Sequence, residues 1–176
     1  ILLSGTVTLD LNGKTLSAPG CLFTTATGAQ SLTLINTAET QAATVKAITL
    51  IKFNLSDALT IGRAGGTASN IQFDLGTELF AVADRTDLTG CSVNIYGGVI
   101  TTTGDYAIDA SIASDEADPF KLLIFDGIFE KISFQFRFGR TRTTQHNAKI
   151  IFADFPVFNF LIQDAKRLCI FCGDHD

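Results

Sequence analysis

The 176-residue chain is 46% apolar and 18% charged, the balance of a folded domain rather than a disordered segment. Its net charge of −5 argues against a nucleic-acid partner, which needs a basic face to neutralise phosphates. No apolar run approaches the roughly 20 residues of a membrane-spanning helix, so no span is expected, and the length fits one domain over 1–176.

Residues 6–16, TVTLDLNGKTL, alternate Val7, Leu9 and Leu11 with polar neighbours and then turn at Asn12-Gly13. Alternation at period two marks a strand with one buried face, and Asn-Gly marks a tight turn. The same phrase returns at 31–36 (SLTLIN), 48–54 (ITLIKFN) and 70–76 (NIQFDLG). Its fullest form is 92–110, SVNIYGGVITTTGDYAIDA, where Gly97-Gly98 and Gly104-Asp105 break three successive alternating runs. It continues at 121–127 (KLLIFDG), 148–154 (AKIIFAD) and 167–173 (RLCIFCG). Shorter strands are predicted at 58–61, 79–82, 106–112, 132–138 and 158–162. Only 36–47, NTAETQAATVKA, reads as a helix, with Asn36 and Glu39 at N-cap and N3 spacing; its Thr and Val residues count against it.

The turn anchors are Gly13, Asn36, Asn54, Gly76, Gly97, Gly127, Asp154 and Gly173. Their mean spacing falls inside the range of about 20–50 residues that marks stacked repeats. One strand–turn phrase recurring at such a period predicts an all-β solenoid, a right-handed parallel β-helix of about seven to eight coils. A β-sandwich is the alternative, since short strands with turn signals also build one. The phrases VTLDLNGKTLS at 7–17 and VNIYGGVITTTGDYAIDA at 93–110 resemble right-handed parallel β-helix repeats of the pectate-lyase-like superfamily. They are most similar to the Gly/Thr-rich forms in bacterial and phage surface proteins. The resemblance covers 6–131 loosely. Towards the C-terminal part eleven of the fifteen Phe fall between 120 and 171, which predicts either an assembly face or a wide aromatic core.

The chain holds no Met and its first residue is Ile1. This reads as a processed or trimmed product: removal of a secretory signal explains it and predicts an extracellular or cell-surface protein, and proteolytic trimming of a longer chain explains it equally well. Cys21, Cys91, Cys169 and Cys172 are then disulfide candidates, in any of three connectivities, with buried thiols as the alternative. Cys169-x-x-Cys172 with His175, and His146 as the remaining ligand, is a weaker zinc pattern that lacks a second Cys pair. Asn54-Leu55-Ser56 is a glycosylation sequon.

Polymer-cleaving members of the resembled superfamily use Asp clusters, with or without calcium, and an Arg or Lys base. Here the acid-rich stretch is Asp105, Asp109, Asp115, Glu116 and Asp118. These are the candidate Ca²⁺ ligands or acid–base pair, against the plainer reading of a solvated loop before Pro119. The superfamily's glycan-cleaving motif pairs are not recognisable, so no catalytic residue is assigned, and the expectation is no cofactor, with Ca²⁺ as the alternative. Arg137, Arg140, Arg142, His146 and Lys149 read either as a contact for acidic polysaccharide or as an exposed corner. Tyr96 and Tyr106 are the aromatic candidates for a glycan-binding groove. The Thr runs at 24–25, 101–103 and 143–144 lack a regular Thr-x-Thr from coil to coil, which argues against ice binding.

Solenoid ends normally carry a polar cap, and neither end of this chain offers an amphipathic capping helix. The expectation is a non-catalytic surface, adhesive or filament-forming module that self-associates through uncapped ends or packs on a neighbouring surface protein. The alternatives are a polysaccharide-active lyase or hydrolase, and a glycan-binding module.

Overall fold

A computed structural model describes residues 1–38, 40–64, 70–83, 88–104, 108–109, 120–130, 134–135, 149–152 and 170–172. Their regular elements are all strands: β1 (Leu2–Leu3), β2 (Thr6–Asp10), β3 (Thr15–Ser17), β4 (Cys21–Thr25), β5 (Ser31–Ile35), β6 (Ala43–Phe53), β7 (Ala58–Ile61), β8 (Ile71–Val82), β9 (Ser92–Thr102), β10 (Ile108–Asp109), β11 (Lys121–Glu130), β12 (Phe134–Gln135), β13 (Lys149–Phe152) and β14 (Ile170–Cys172). Every pairing among them is parallel. The β-sandwich alternative, which needs antiparallel hairpins, is therefore overturned. The chain is a β-solenoid.

The register defines three faces. Face one stacks β2, β5, β7, residues 92–95 of β9, residues 121–124 of β11, then β13 and β14. Face two stacks β3, residues 43–47 of β6, residues 71–75 of β8, the end of β9 and the end of β11. Face three stacks β1, β4, residues 49–53 of β6 and residues 78–82 of β8. Three coils, 6–25, 31–53 and 58–82, are complete on all three faces. The expectation of seven to eight coils falls in part on segments outside the described residues.

The alternating sequence produces this stacking because each inward position repeats one coil later. Val7, Leu32, Leu59, Val93 and Leu122 form one column on face one, and Leu9, Leu34, Ile61, Ile95 and Ile124 the next. From Leu32 and Leu34 onward these side chains are 0–1% exposed, each worth roughly 1.5–3 kcal/mol of burial. In the first coil Val7, Leu9 and Leu16 are only partly buried, because nothing described stacks above them. Phe53, Phe80 and Phe120 continue the core, with successive ring centroids 5.4 Å apart. For Phe120 the aromatic-core reading of the Phe-rich region is the observed one.

Two expectations are corrected here. Residues 36–47 form no helix: 43–47 open β6, because Ala43, Val45 and Ala47 are needed as inward residues on face two. The anchors also do not mark one corner. Gly13, Asn36, Gly97 and Gly127 lie between faces one and two, but Asn54 lies between three and one and Gly76 between two and three. The spacing between anchors therefore mixed corners and came out too short. The true steps on face one run from Thr6 to Ser31, Ala58, Ser92 and Lys121. They are unequal, the first being the shortest and that from Ala58 to Ser92 the longest. The register also shows an outward column that the Thr runs did not reveal, Thr8–Thr33–Thr60–Asn94.

Candidate functional site

The corner between faces two and three carries an open groove of about 540 Å³, lined by Ser17, Pro19, Lys46, Ile48, Asp74 and Thr103 among others. Its floor is a tight main-chain stack. Gly20, Ile48, Gly76 and Gly104 follow one another at one constant spacing, and Ile48 N donates to Gly20 O at 3.0 Å. A Cβ on Gly76 would meet the Ile48 Cα at 3.2 Å, and one on Gly104 the Thr77 carbonyl oxygen at 2.6 Å. Glycine is thus required at position 104 by close approach of the coil below it.

Threonine hydroxyls close this corner. Thr77 Oγ1 donates to Ile48 O at 3.0 Å. That uses its only proton, so Thr49 Oγ1 supplies the hydrogen in the 3.0 Å Thr49–Thr77 bond. Thr102 Oγ1 donates to Thr77 O, and Thr103 Oγ1 to Gly76 O at 2.9 Å. Above the floor, the outward column Ser17–Lys46–Asp74–Thr101 runs up face two. Lys46 Nζ stands 3.5 Å from Asp74 Oδ2, with both side chains more than half exposed. Such a pair is worth at most about 1 kcal/mol. Ile48, 48% exposed, provides an apolar platform beside it.

Chemically the groove offers one cation, one carboxylate, hydroxyls and an apolar patch. That set can hold a polar ligand. Among the described residues no group of three His, Cys, Asp or Glu is placed to hold a metal. Of the carboxylate candidates, Asp105, Asp115, Glu116 and Asp118 lie outside the described residues, and Asp109 is placed only as a strand residue beside Gln135. Arg137, Arg140, Arg142, His146, His175 and Cys169 also lie outside them. Lys149 and Cys172 are placed only as strand residues.

The remaining candidates are scattered over the solenoid. Tyr96 is half-buried and stacks on Phe125 of the next coil, centroids 4.4 Å apart and planes within 8°; Tyr106 lies outside the described residues. Cys21 and Cys91 stand as thiols, so the described structure contains no disulfide between them. The reason is placement: Cys21 opens β4 on face three and Cys91 precedes β9 on face one. Cys21 Sγ donates to Phe23 O at 2.9 Å and Cys91 Sγ to Asn54 O at 3.1 Å. Burial pushes the Cys21 thiol above its ordinary value, which keeps it protonated at neutral pH. Asn54 turns its amide nitrogen, the atom a glycan would occupy, toward the preceding coil, donating to Thr25 O and Thr25 Oγ1 at 3.0 Å each.

Among the described residues the most deeply buried acid was not singled out from sequence. Asp57, 0% exposed, sits at the corner between faces three and one. Its carboxyl oxygens accept from Gln30 N at 2.8 Å and Asn54 N at 2.6 Å. Gln30 in turn accepts from Gly5 N and donates to Thr27 O and Gly28 O. Both carboxyl oxygens of Asp57 are engaged by main-chain donors, so this acid is part of the scaffold. The legible signal was positional: Gly5, Gln30, Asp57, Cys91 and Phe120 each stand one residue before a face-one strand.

Fold and corners together define a three-sided parallel β-solenoid with a shallow polar groove. No family model matches the chain, and neither do any curated proteins or solved structures.

Proposed function

We propose that this chain is a non-catalytic, extracellular structural module, a surface, adhesive or filament-forming solenoid that associates through the edge of its first coil. The observation that carries this reading is the open ladder: β1, β2 and β3 each pair with a single described strand. Beside that edge Ile1 and Leu2 are 62% and 69% exposed. A parallel edge paired on one side only among the described residues is a template for another strand, and a head-to-tail contact of this kind need not close. Sedimentation velocity and negative-stain electron microscopy of the purified chain test it. Concentration-dependent oligomers or fibres are expected. Leu2→Lys, which places a charge on the edge, is expected to abolish them without changing the β-sheet circular dichroism. Monodisperse monomers at every concentration would remove the assembly reading.

A second reading, a glycan-binding module, is favoured by the groove beside Lys46, Ile48 and Asp74. Titration calorimetry with neutral and acidic polysaccharides tests it. Heat that disappears in the Lys46→Ala/Asp74→Ala double variant supports it; heat unchanged in that variant rejects this site.

A further inference from the structure

The Asn12-Gly13 turn holds two groups that react with each other in flexible chains. Asn12 has φ 42° and Gly13 φ 69°, and Lys14 N donates to Leu11 O at 2.8 Å. Positive φ at both central residues makes this a type I′ turn. The Asn12 side chain is exposed while Gly13 is buried. Gly13 N donates to Asn36 Oδ1 at 2.7 Å. Asn36 is itself held by its own coil and the one after it: its Nδ2 donates to Gln41 O at 2.9 Å and to Asn70 O at 3.0 Å. A Cβ built on Gly13 would meet the Gln41 side chain at 2.8 Å, so the turn is covered from the next coil.

We propose that Asn12 is a latent deamidation site, kept unreacted by Asn36. In the reaction the Gly13 main-chain nitrogen gives its proton to solvent hydroxide and attacks Asn12 Cγ. The N–Cγ bond forms, the Cγ–Nδ2 bond breaks, and the side-chain nitrogen takes a proton from water as it leaves as ammonia, regenerating the hydroxide. The cyclic imide then takes up one water and opens at either carbonyl, giving aspartate or isoaspartate at position 12. No electrons change hands. The fold opposes this twice. The proton that must be lost is already donated to Asn36. The type I′ geometry also holds the Gly13 nitrogen on the far side of the Cα–C bond from the Asn12 side chain, so attack requires the turn to open. Isoaspartate would lengthen the main chain within the turn, which would misplace β3 relative to β2. The site therefore records how often the first coil opens.

The test incubates the full chain in warm, mildly alkaline buffer and follows position 12 by peptide mapping with isoaspartate detection. Folded wild type is expected to keep Asn12 as amide, whereas the same chain in urea loses it. Folded Asn36→Ala is expected to deamidate at Asn12 about fivefold faster or more, the factor set by losing one hydrogen bond of ordinary net strength. Asn36→Asp retains the acceptor oxygen but loses the two Nδ2 bonds to Gln41 O and Asn70 O, and is expected to fall between wild type and Asn36→Ala. Hydrogen exchange gives a variant-free arm: the wild-type Gly13 amide is expected to exchange far more slowly than in the urea-unfolded chain. Equal rates in folded and unfolded wild type, equal rates in wild type and folded Asn36→Ala, or a Gly13 amide exchanging at the unfolded rate would each overturn the proposal.

Discussion

Two corners of the solenoid solve the same problem with different amounts of slack. The corner between faces three and one is closed by side chains. Asp57 and Gln30 reach across coils to satisfy main-chain donors, and a main-chain ladder runs beneath them, Ser31 N to Gly5 O, Ala58 N to Gln30 O, Ser92 N to Asp57 O and Lys121 N to Cys91 O. The corner between faces two and three adds close main-chain packing to its threonine hydroxyl bonds, with Gly76 and Gly104 leaving side chains out so as to admit the coil below. Both must satisfy donors and acceptors that a bend takes away from the sheet ladder. Where polar side chains do it, loops of different length are accommodated, and the step from Asp57 to Cys91 is visibly longer than those from Gly5 to Gln30 and from Gln30 to Asp57. Where backbone contact does it, there is no slack, and the step stays the same from Gly20 through Ile48 and Gly76 to Gly104.

This contrast can be broken at either corner. The largest effect is expected for Asp57→Ala, which strands two donors, Gln30 N and Asn54 N. At about 1–3 kcal/mol for each unsatisfied group, the urea midpoint should fall steeply, and Asp57→Asn, which keeps one acceptor, should fall about half as far. Gly104→Ala should come next. Its methyl must displace the Thr77 main chain, an overpacking cost of about 1–3 kcal/mol. The same change at Gly20, where a Cβ meets nothing within 4 Å, should be nearly silent. Equal effects at positions 20 and 104 would show that close packing does not set the fixed step.

The smallest effect concerns Asp10, at the corner between faces one and two. The Thr37 hydroxyl, then the Thr37 and Asn12 main-chain N–H groups, hold its carboxyl below the ordinary 3.8. A carboxyl lowered in the folded state stabilises fully above its unfolded pKa and loses that contribution as pH falls through its folded value. Acid unfolding of Asp10→Asn should therefore lack a small loss of stability that wild type shows below about pH 4. Above that range the variant should be less stable than wild type by an offset that does not change with pH. Coincident pH profiles would mean that this exposed carboxylate contributes nothing.

Much of the fold was legible because alternation is a local property. Val7, Leu9, Leu32, Leu34, Val93 and Ile95 announce strands with one buried side whatever the partner strands are. Recurrence of the strand–turn phrase then pointed to stacked coils. The candidate groove was much less legible. Lys46 and Asp74 stand a full coil apart in the chain and meet only through the β6–β8 register. Asp57 looks like any loop acid until its position before a face-one strand is known. The expected helix at 36–47 failed for a related reason: capping signals describe a segment in isolation, while the inward places on face two required Ala43, Val45 and Ala47 to be extended.

The order of residues determined by itself that this chain would form short strands punctuated by glycine and asparagine, and that the strands would repeat. Only the stacked structure decided which turns share a corner, and hence the true step from coil to coil. A turn residue bends the chain through local φ and ψ preferences, but its corner is set by the hydrogen bonds its strand makes to the coils above and below. Those bonds join residues a whole coil apart, beyond the reach of any local pattern.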